Sequence, residues 1–194
     1  PPVEVKDLPV LAQVVRSSPL RDNHAMYHVF LQAISSARAS ILISTPYLLP
    51  GEQLTNALVE AVRRGVTVHV LVPSVVRSSG VEYVTQASQR DGFERLLDGG
   101  VQLHEYFPAL LHTKMMIIDD MWVTVGSTNF DNRSMAMNDE LNVVFYDQHI
   151  AKRLEDIFLE DLTHSRKISR ERLKNQSWLD QFLGITISPF HNYF

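Results

Sequence analysis

Apolar residues along the chain recur with two different periods. From Asp22 to Ala37, the positions Met26, Tyr27, Phe30, Leu31 and Ile34 fall at the spacing that lines one helix face, and Asp22 and Asn23 are suited to cap its start. The helical period returns in Glu52–Arg64 through Leu54, Leu58, Val59 and Val62, with Gly65 as the stop. It recurs from Val81 to about Leu97 ahead of Gly99-Gly100, and in Gln148–Leu162, where Ile150, Leu154, Ile157 and Phe158 share a face. Between these segments lie short β-branched or alternating runs that predict strands: Ala12–Arg16, Ile41–Ser44, Val66–Val72, Val101–Tyr106, His112–Ile118, Trp122–Val125 and Glu140–Tyr146. Ser74–Gly80 and Asn132–Asn138 read as polar loops, and the first twenty residues are punctuated by proline. The opening order βαβαβ has connections of crossover length, which favours parallel neighbours. The expected fold class is therefore an α/β sandwich, with a mixed, mostly parallel central sheet and helices on both faces.

The stretch Leu111–Ser134 (LHTKMMIIDDMWVTVGSTNFDNRS) carries the densest chemistry. A strand His112–Ile118, a tight Asp119–Asp120 turn and a strand Trp122–Val125 make a hairpin. Because side chains alternate along a strand, His112 and Lys114 share a face. A neutral imidazole is a good nucleophile or proton carrier at phosphorus, and a lysine beside it suits the non-bridging phosphate oxygens. Ser127 and Asn129 follow the strand end at Gly126 and offer neutral donors to the same anion. Glu140 opens the next strand, where a carboxylate can orient an imidazole. Each has a structural alternative: Ser127 and Asn129 also suit capping a turn, and Glu140 also suits a solvated strand start. Asp119, last of the spacing H-x-K-x4-D, is either a catalytic acid or, with Asp120, a turn and site-support residue of the hairpin.

Composition narrows the partners. At 194 residues and 45% hydrophobic content the chain can bury one substantial core. A net charge of −4 argues against a dedicated nucleic-acid binder. Cysteine is absent, which excludes disulfides and thiolate metal sites. His24 and His28 stand four apart but lack an evident third ligand, so neither a metal nor another cofactor is called for. No apolar run reaches the length of about 18 residues that a membrane span needs. The start at Pro1-Pro2-Val3, without methionine, suggests a piece of a longer protein.

The signature His112-Thr-Lys114 through Asp119, followed by Gly126-Ser-Thr-Asn129-Phe-Asp-Asn-Arg-Ser134 and Glu140, resembles that of the phospholipase D superfamily. Further segments resemble the second half of bacterial cardiolipin synthases: Thr45-Pro46-Tyr47-Leu48-Leu49-Pro50, the strand entries at Arg63–Val68 and Gly100–Tyr106, and Glu160–Ile168. The resemblance implies phosphatidyl transfer in two steps through a phosphohistidine, without a cofactor. It makes His112, Lys114, Asp119 and Glu140 the catalytic set and Lys114, Ser127 and Asn129 the phosphate-binding one. In that family two half-domains each contribute a His-Lys pair, whereas here no other histidine is followed by lysine at i+2. The chain reads as half of an active site, completed by a segment of the same parent chain or by a second copy.

Residues 1–163 are assigned to this catalytic half and 164–194 to a tail. The tail is basic at His164, Arg166, Lys167, Arg170, Arg172 and Lys174, then amphipathic around Trp178–Leu183. It reads either as a helix packed on the domain or as a segment lying on anionic lipid. The second reading places the protein peripherally, or tethered, at the cytoplasmic face of the cell membrane, with phospholipid as substrate. Competing readings are a homodimeric phosphodiesterase or nuclease and a non-catalytic interaction module.

Overall fold

The computed structural model describes residues 10–21, 23–74 and 90–173. The predicted loop beyond Ser74, the start of the Val81–Leu97 helix, the Asp22 cap, the proline-rich opening and the Trp178–Leu183 helix lie outside these residues.

Eight strands form one sheet in the order β1-β9-β7-β6-β2-β4-β5-β10. They are β1 (Leu11–Ser17), β2 (Ser40–Ser44), β4 (Thr67–Pro73), β5 (Gln102–Tyr106), β6 (Met115–Ile118), β7 (Trp122–Gly126), β9 (Glu140–Tyr146) and β10 (Ser165–Lys167). The two-residue strands β3 (Leu48–Leu49) and β8 (Phe130–Asp131) pair separately, in parallel. Helices α1 (Ala25–Ser36), α2 (Glu52–Arg63) and α3 (Arg90–Asp98) pack over one face. The long α5 (Gln148–Thr163) covers the other, and the short α4 (Asn132–Met137) occupies what reads from sequence as a loop.

The expectation of a mostly parallel sheet is corrected. Among the described strands of the eight-stranded sheet, β2–β4 and β4–β5 alone are parallel neighbours. The pairs β1–β9, β9–β7, β7–β6, β6–β2 and β5–β10 are antiparallel. Crossover helices do connect β1 to β2, β2 to β4 and β4 to β5 in one direction. The first of them, however, leaves room for three antiparallel strands between β1 and β2, and the hairpin β6–β7 and the returning β9 fill it.

Local chemistry explains the element ends. In α2 the residues Leu54, Thr55, Leu58 and Ala61 are buried, a stripe at helical spacing. Gly65 ends it at φ +92°, with its N–H bonded to the Val62 carbonyl at 2.9 Å and that of Val66 to Ala61 at 3.0 Å. This double bond pattern needs a left-handed residue, which glycine adopts without strain. At α1, the Asn23 side chain accepts from the Ala25 N–H (3.0 Å), and the Ser17 hydroxyl of β1 accepts from Met26 (2.8 Å).

Asp119 and Asp120 adopt φ of 52° and 53°, a left-handed pair in the tight turn that the Met121 N–H closes on the Ile118 carbonyl at 3.2 Å. The Asp119 carboxylate also receives the backbone N–H groups of Arg38 (2.8 Å), Ala39 (2.7 Å) and Ser40 (2.9 Å), clamping the entry of β2. Burial opposes its ionisation, but these three donors and the Arg38 charge outweigh burial and hold the carboxyl below its ordinary range. Asp119→Ala is expected to destabilise the fold by about 2 kcal/mol at neutral pH, since each lost acceptor leaves an N–H unmatched. The folded carboxyl titrates below the unfolded one, so its contribution is present above the unfolded pKa and fades as pH falls through the folded value. Urea unfolding at pH 7 and at successively lower pH checks this, the gap between variant and wild type narrowing in acid.

The described part of the assigned tail belongs to the sheet and its surroundings. Arg166 stacks on the Phe107 ring at 4.5 Å, Lys167 donates to Gln102 at 3.1 Å, and Arg170 pairs with Asp98. Arg172 reaches the buried Glu105 at 2.6 Å. These cations face protein groups, which supports packing over lipid contact for residues 165–172. Two other histidines, His69 and His104, sit 3.2 Å apart between β4 and β5. Burial, the neighbouring imidazole and the Lys167 charge lower His104 to about 4, so it is neutral at physiological pH.

Candidate active site

Antiparallel pairing brings the end of β2, the start of β6, the end of β7 and the start of β9 to one edge of the sheet. His112 and Lys114 stand at this edge, just ahead of β6 rather than within it, because the strand begins at Met115. Buried Leu111 and Met115 anchor the segment on either side, while His112 projects into solvent. The pair still meets: Lys114 Nζ lies 3.2 Å from His112 Nδ1 and donates to the His112 carbonyl at 3.1 Å. The shared face expected of a strand thus arises from a lysine folding back over its own segment. In turn, the Gly126 N–H donates to the Lys114 carbonyl at 3.2 Å, tying the pair to β7.

Glu140, 7% exposed, is bound by neutral donors on both carboxylate oxygens. Ser127 donates its hydroxyl to Oε2, while Ser134 (2.5 Å) and the Asn138 amide (3.3 Å) donate to Oε1. Among the described residues no hydrogen bond joins Glu140 to the His112 ring. The carboxylate acts on Lys114 instead. Burial lowers the lysine below its ordinary pKa, and the charges of Glu140 and Asp131 partly offset that. Asp131 is itself raised, by burial first and by Glu140 among the charges, against the pull of its backbone bonds to Ser134 and Arg133.

Ser127 accepts the Leu141 N–H at 2.9 Å and gives its only hydroxyl proton to Glu140, so as folded it braces the carboxylate. Asn129 differs. Its backbone N–H is bound to Ser134 (2.9 Å), and its side-chain Oδ1 is buried without a hydrogen-bond partner at the site. Two layers hold this loop in place. The Asn142 side chain accepts from the Thr128 N–H (3.2 Å) and hydroxyl (2.7 Å) and donates to Thr124 at 3.0 Å. Thr45 accepts the Phe130 N–H at 3.1 Å, so the Thr45-Pro46-Tyr47 segment docks on the signature loop. Gly126 permits the close approach: a Cβ there would lie 2.3 Å from the Leu141 carbonyl oxygen and 2.5 Å from Asn142.

Of the residues expected at the site, His112, Lys114, Ser127, Asn129 and Glu140 come together at this edge. Asp119 does not, since it lies at the opposite end of β6 with its carboxylate clamped on β2. Sequence reading passed over Asp131 and Ser134. Their signal was present, because Asp131-Asn-Arg-Ser134 has the spacing of a helix cap, and the Asp131 carboxylate does accept the Ser134 N–H at 2.7 Å. Asn142 and Thr45 offered no comparable local signal.

The arrangement combines an exposed imidazole, a half-buried ammonium against it, and a carboxylate locked by hydroxyls. Such a set suits nucleophilic or acid–base chemistry on an anionic phosphodiester.

Comparison with known proteins places this arrangement in context. The cardiolipin synthase 1 of Staphylococcus aureus (strain COL) is 33% identical over 180 residues, covering 91% of this chain and 36% of that protein. The chain therefore spans about a third of the length of the curated relatives it matches. Two solved structures share the fold at lower identity. Nuc of Salmonella typhimurium, a phospholipase D family member, superposes with a TM-score of 0.64 at 22% identity, over 81% of this chain and 99% of that one. The phosphatidylserine synthase of Haemophilus influenzae Rd KW20 gives a TM-score of 0.67 at 16% identity, over 94% and 47% respectively. Residues 30–162, which hold the whole edge just described, match the profile of the family described as the phospholipase D-like domain of cardiolipin synthase, and the chain belongs to that family.

Proposed function

We propose that this chain is one catalytic half of a phosphatidyltransferase of phospholipid biosynthesis, moving a phosphatidyl group from one alcohol to another. The observation that carries the reading is the His112–Lys114 contact at 3.2 Å, at an edge that also gathers Asn129 and a locked Glu140. In the first step an imidazole nitrogen attacks phosphorus, the P–O bond to the leaving alcohol breaks, and a second imidazole donates the proton that alcohol needs. In the second step the acceptor alcohol attacks the phosphohistidine, its proton returning to that second imidazole as the P–N bond breaks. His112 supplies one of these imidazoles. The other comes from a second half-domain, in the same parent chain or in a second copy.

Lys114 neutralises a non-bridging oxygen, and the half-buried Asn129 offers it the N–H groups of its side-chain amide. Ser127, read from sequence as a phosphate donor, serves better through Glu140. The names of the relatives support a lipid substrate, as does the absence of a basic surplus at net charge −4. Work on such a substrate takes place at the membrane surface, by peripheral contact or by tethering, and we assign it to the cytoplasmic face. No described helix is long and apolar enough to cross a membrane.

The test is to join the chain to an amino-terminal half carrying its own His-Lys pair and to supply phosphatidylglycerol vesicles. Phosphatidyl transfer that survives EDTA is expected. Absence of transfer, or its loss in chelator, overturns the reading.

A second reading is favoured by one observation: the match to Nuc covers 99% of that chain, so a single unit of this fold stands there as a whole chain. On that reading two copies form a symmetric phosphodiesterase. The 194-residue chain alone would then sediment as a dimer and cleave bis(p-nitrophenyl) phosphate. An inert monomer rules it out.

A further inference from the structure

Ser134 closes the signature stretch, and its side chain joins groups that otherwise have no link. It is 1% exposed. Its Oγ accepts the Asn129 N–H at 2.9 Å and donates to Glu140 Oε1 at 2.5 Å, while its own N–H binds Asp131 at 2.7 Å. A hydroxyl has one proton, and with an amide pointing at the oxygen that proton goes to the carboxylate. Ser127 treats the other carboxylate oxygen in the same way. Glu140 is thus satisfied by neutral donors even though Gly126, whose N–H binds the Lys114 carbonyl, precedes its partner Ser127, an arrangement that lets the two charges interact. A buried carboxylate lacking donors takes the nearest cation. Here the ammonium turns to the His112 ring and carbonyl instead, and among the described residues no ion pair joins Lys114 to Glu140.

We propose that Ser134 is a positioning residue of the phosphoryl-transfer site: by donating a neutral hydrogen bond to Glu140 it keeps the carboxylate from capturing Lys114, so that the ammonium stays against His112 and open to a phosphate oxygen. The inference rests on the reading of His112 and Lys114 as the phosphate-handling pair, but its first test needs no turnover.

That test follows the ε-carbon of Lys114 by NMR in the lysine-labelled 194-residue chain as pH is raised. In Ser134→Ala the orphaned Oε1 recruits the ammonium, and the Lys114 midpoint is expected to rise by about half a unit. Ser134→Thr, which keeps the hydroxyl, is expected to titrate as wild type. Ser134→Cys, nearly isosteric but a weak donor, carries the alanine expectation if the alanine variant does not fold. In a Glu140→Gln background the Ser134→Ala shift should vanish, because the residue acts through the carboxylate. A folded Ser134→Ala chain with an unmoved Lys114, or a shift that persists in the Glu140→Gln background, overturns the proposal.

In the joined two-motif enzyme, Ser134→Ala is expected to lower kcat about 10-fold with KM within about 2-fold. Should that enzyme prove inactive while the Lys114 shift is observed, the positioning role stands and the functional reading falls.

Discussion

Replacing His112 by alanine is expected to lower phosphatidyl transfer by at least about 10³-fold, the scale of losing a nucleophile or its acid–base partner. The melting temperature should hardly move. His112 is exposed, its ring bonds only Lys114 among the described residues, and buried Leu111 and Met115 fix the segment without it. Substitutions of exposed residues away from caps and clamps fall within about 0.5 kcal/mol. The same variant separates the two chemical roles open to the imidazole. A substrate that releases p-nitrophenolate needs no proton on its leaving group. If His112 is the general acid, His112→Ala regains much of its rate on that substrate. If His112 is the nucleophile, the loss is the same on both substrates, and a labelled phosphoryl adduct trapped by rapid quenching disappears with it. A variant that keeps wild-type transfer on the lipid assigns the chemistry to another group.

How this site could be found from sequence, and how far, follows from which interactions are local. The His112–Lys114 contact lies within three residues, so spacing alone located it, although the supposed strand starts only at Met115 and the contact comes from the lysine folding back. Asp119 was legible as a turn residue for the same reason. Its second role, holding the amides of residues 38–40, joins positions some eighty residues apart and leaves no local trace. Glu140 could be placed at a strand start beside the site, but its donors depend on how β7 and β9 pair and on the short helix α4 just ahead of it. They proved to be Ser127, Ser134 and Asn138, not the imidazole.

The sheet shows the same limit. Periodicity predicted most of the strands and the sense of the crossovers, yet it carries no information on which strands become neighbours. The space between β1 and β2 is filled by strands that come later in the chain, and this converts an apparently parallel sheet into one with mostly antiparallel pairs. It also brings strand starts and strand ends to a single edge, which is what assembles the site.

Lys114→Met should remove the cation while keeping the length of the side chain, and a fall in turnover of about 10²–10³-fold is expected, the usual effect of deleting a group that stabilises developing negative charge. Arginine should recover little of this, because a planar guanidinium cannot occupy the compact position 3.2 Å from His112 Nδ1. The pH dependence makes the assignment specific. Burial holds Lys114 below the ordinary lysine pKa, while Glu140 and Asp131 pull it part of the way back. As pH rises through this lowered value the ammonium loses its charge, so transfer should decline at a pH below that of a solvent-exposed lysine. Glu140→Gln removes one of the two restoring charges and should move the decline to lower pH still. In Lys114→Met only the lysine of the other half-domain remains to titrate, so Glu140→Gln should no longer move the alkaline limb of the residual activity. A methionine variant within about threefold of wild type, or one whose alkaline limb still moves on Glu140→Gln, places the phosphate-neutralising charge on a different residue.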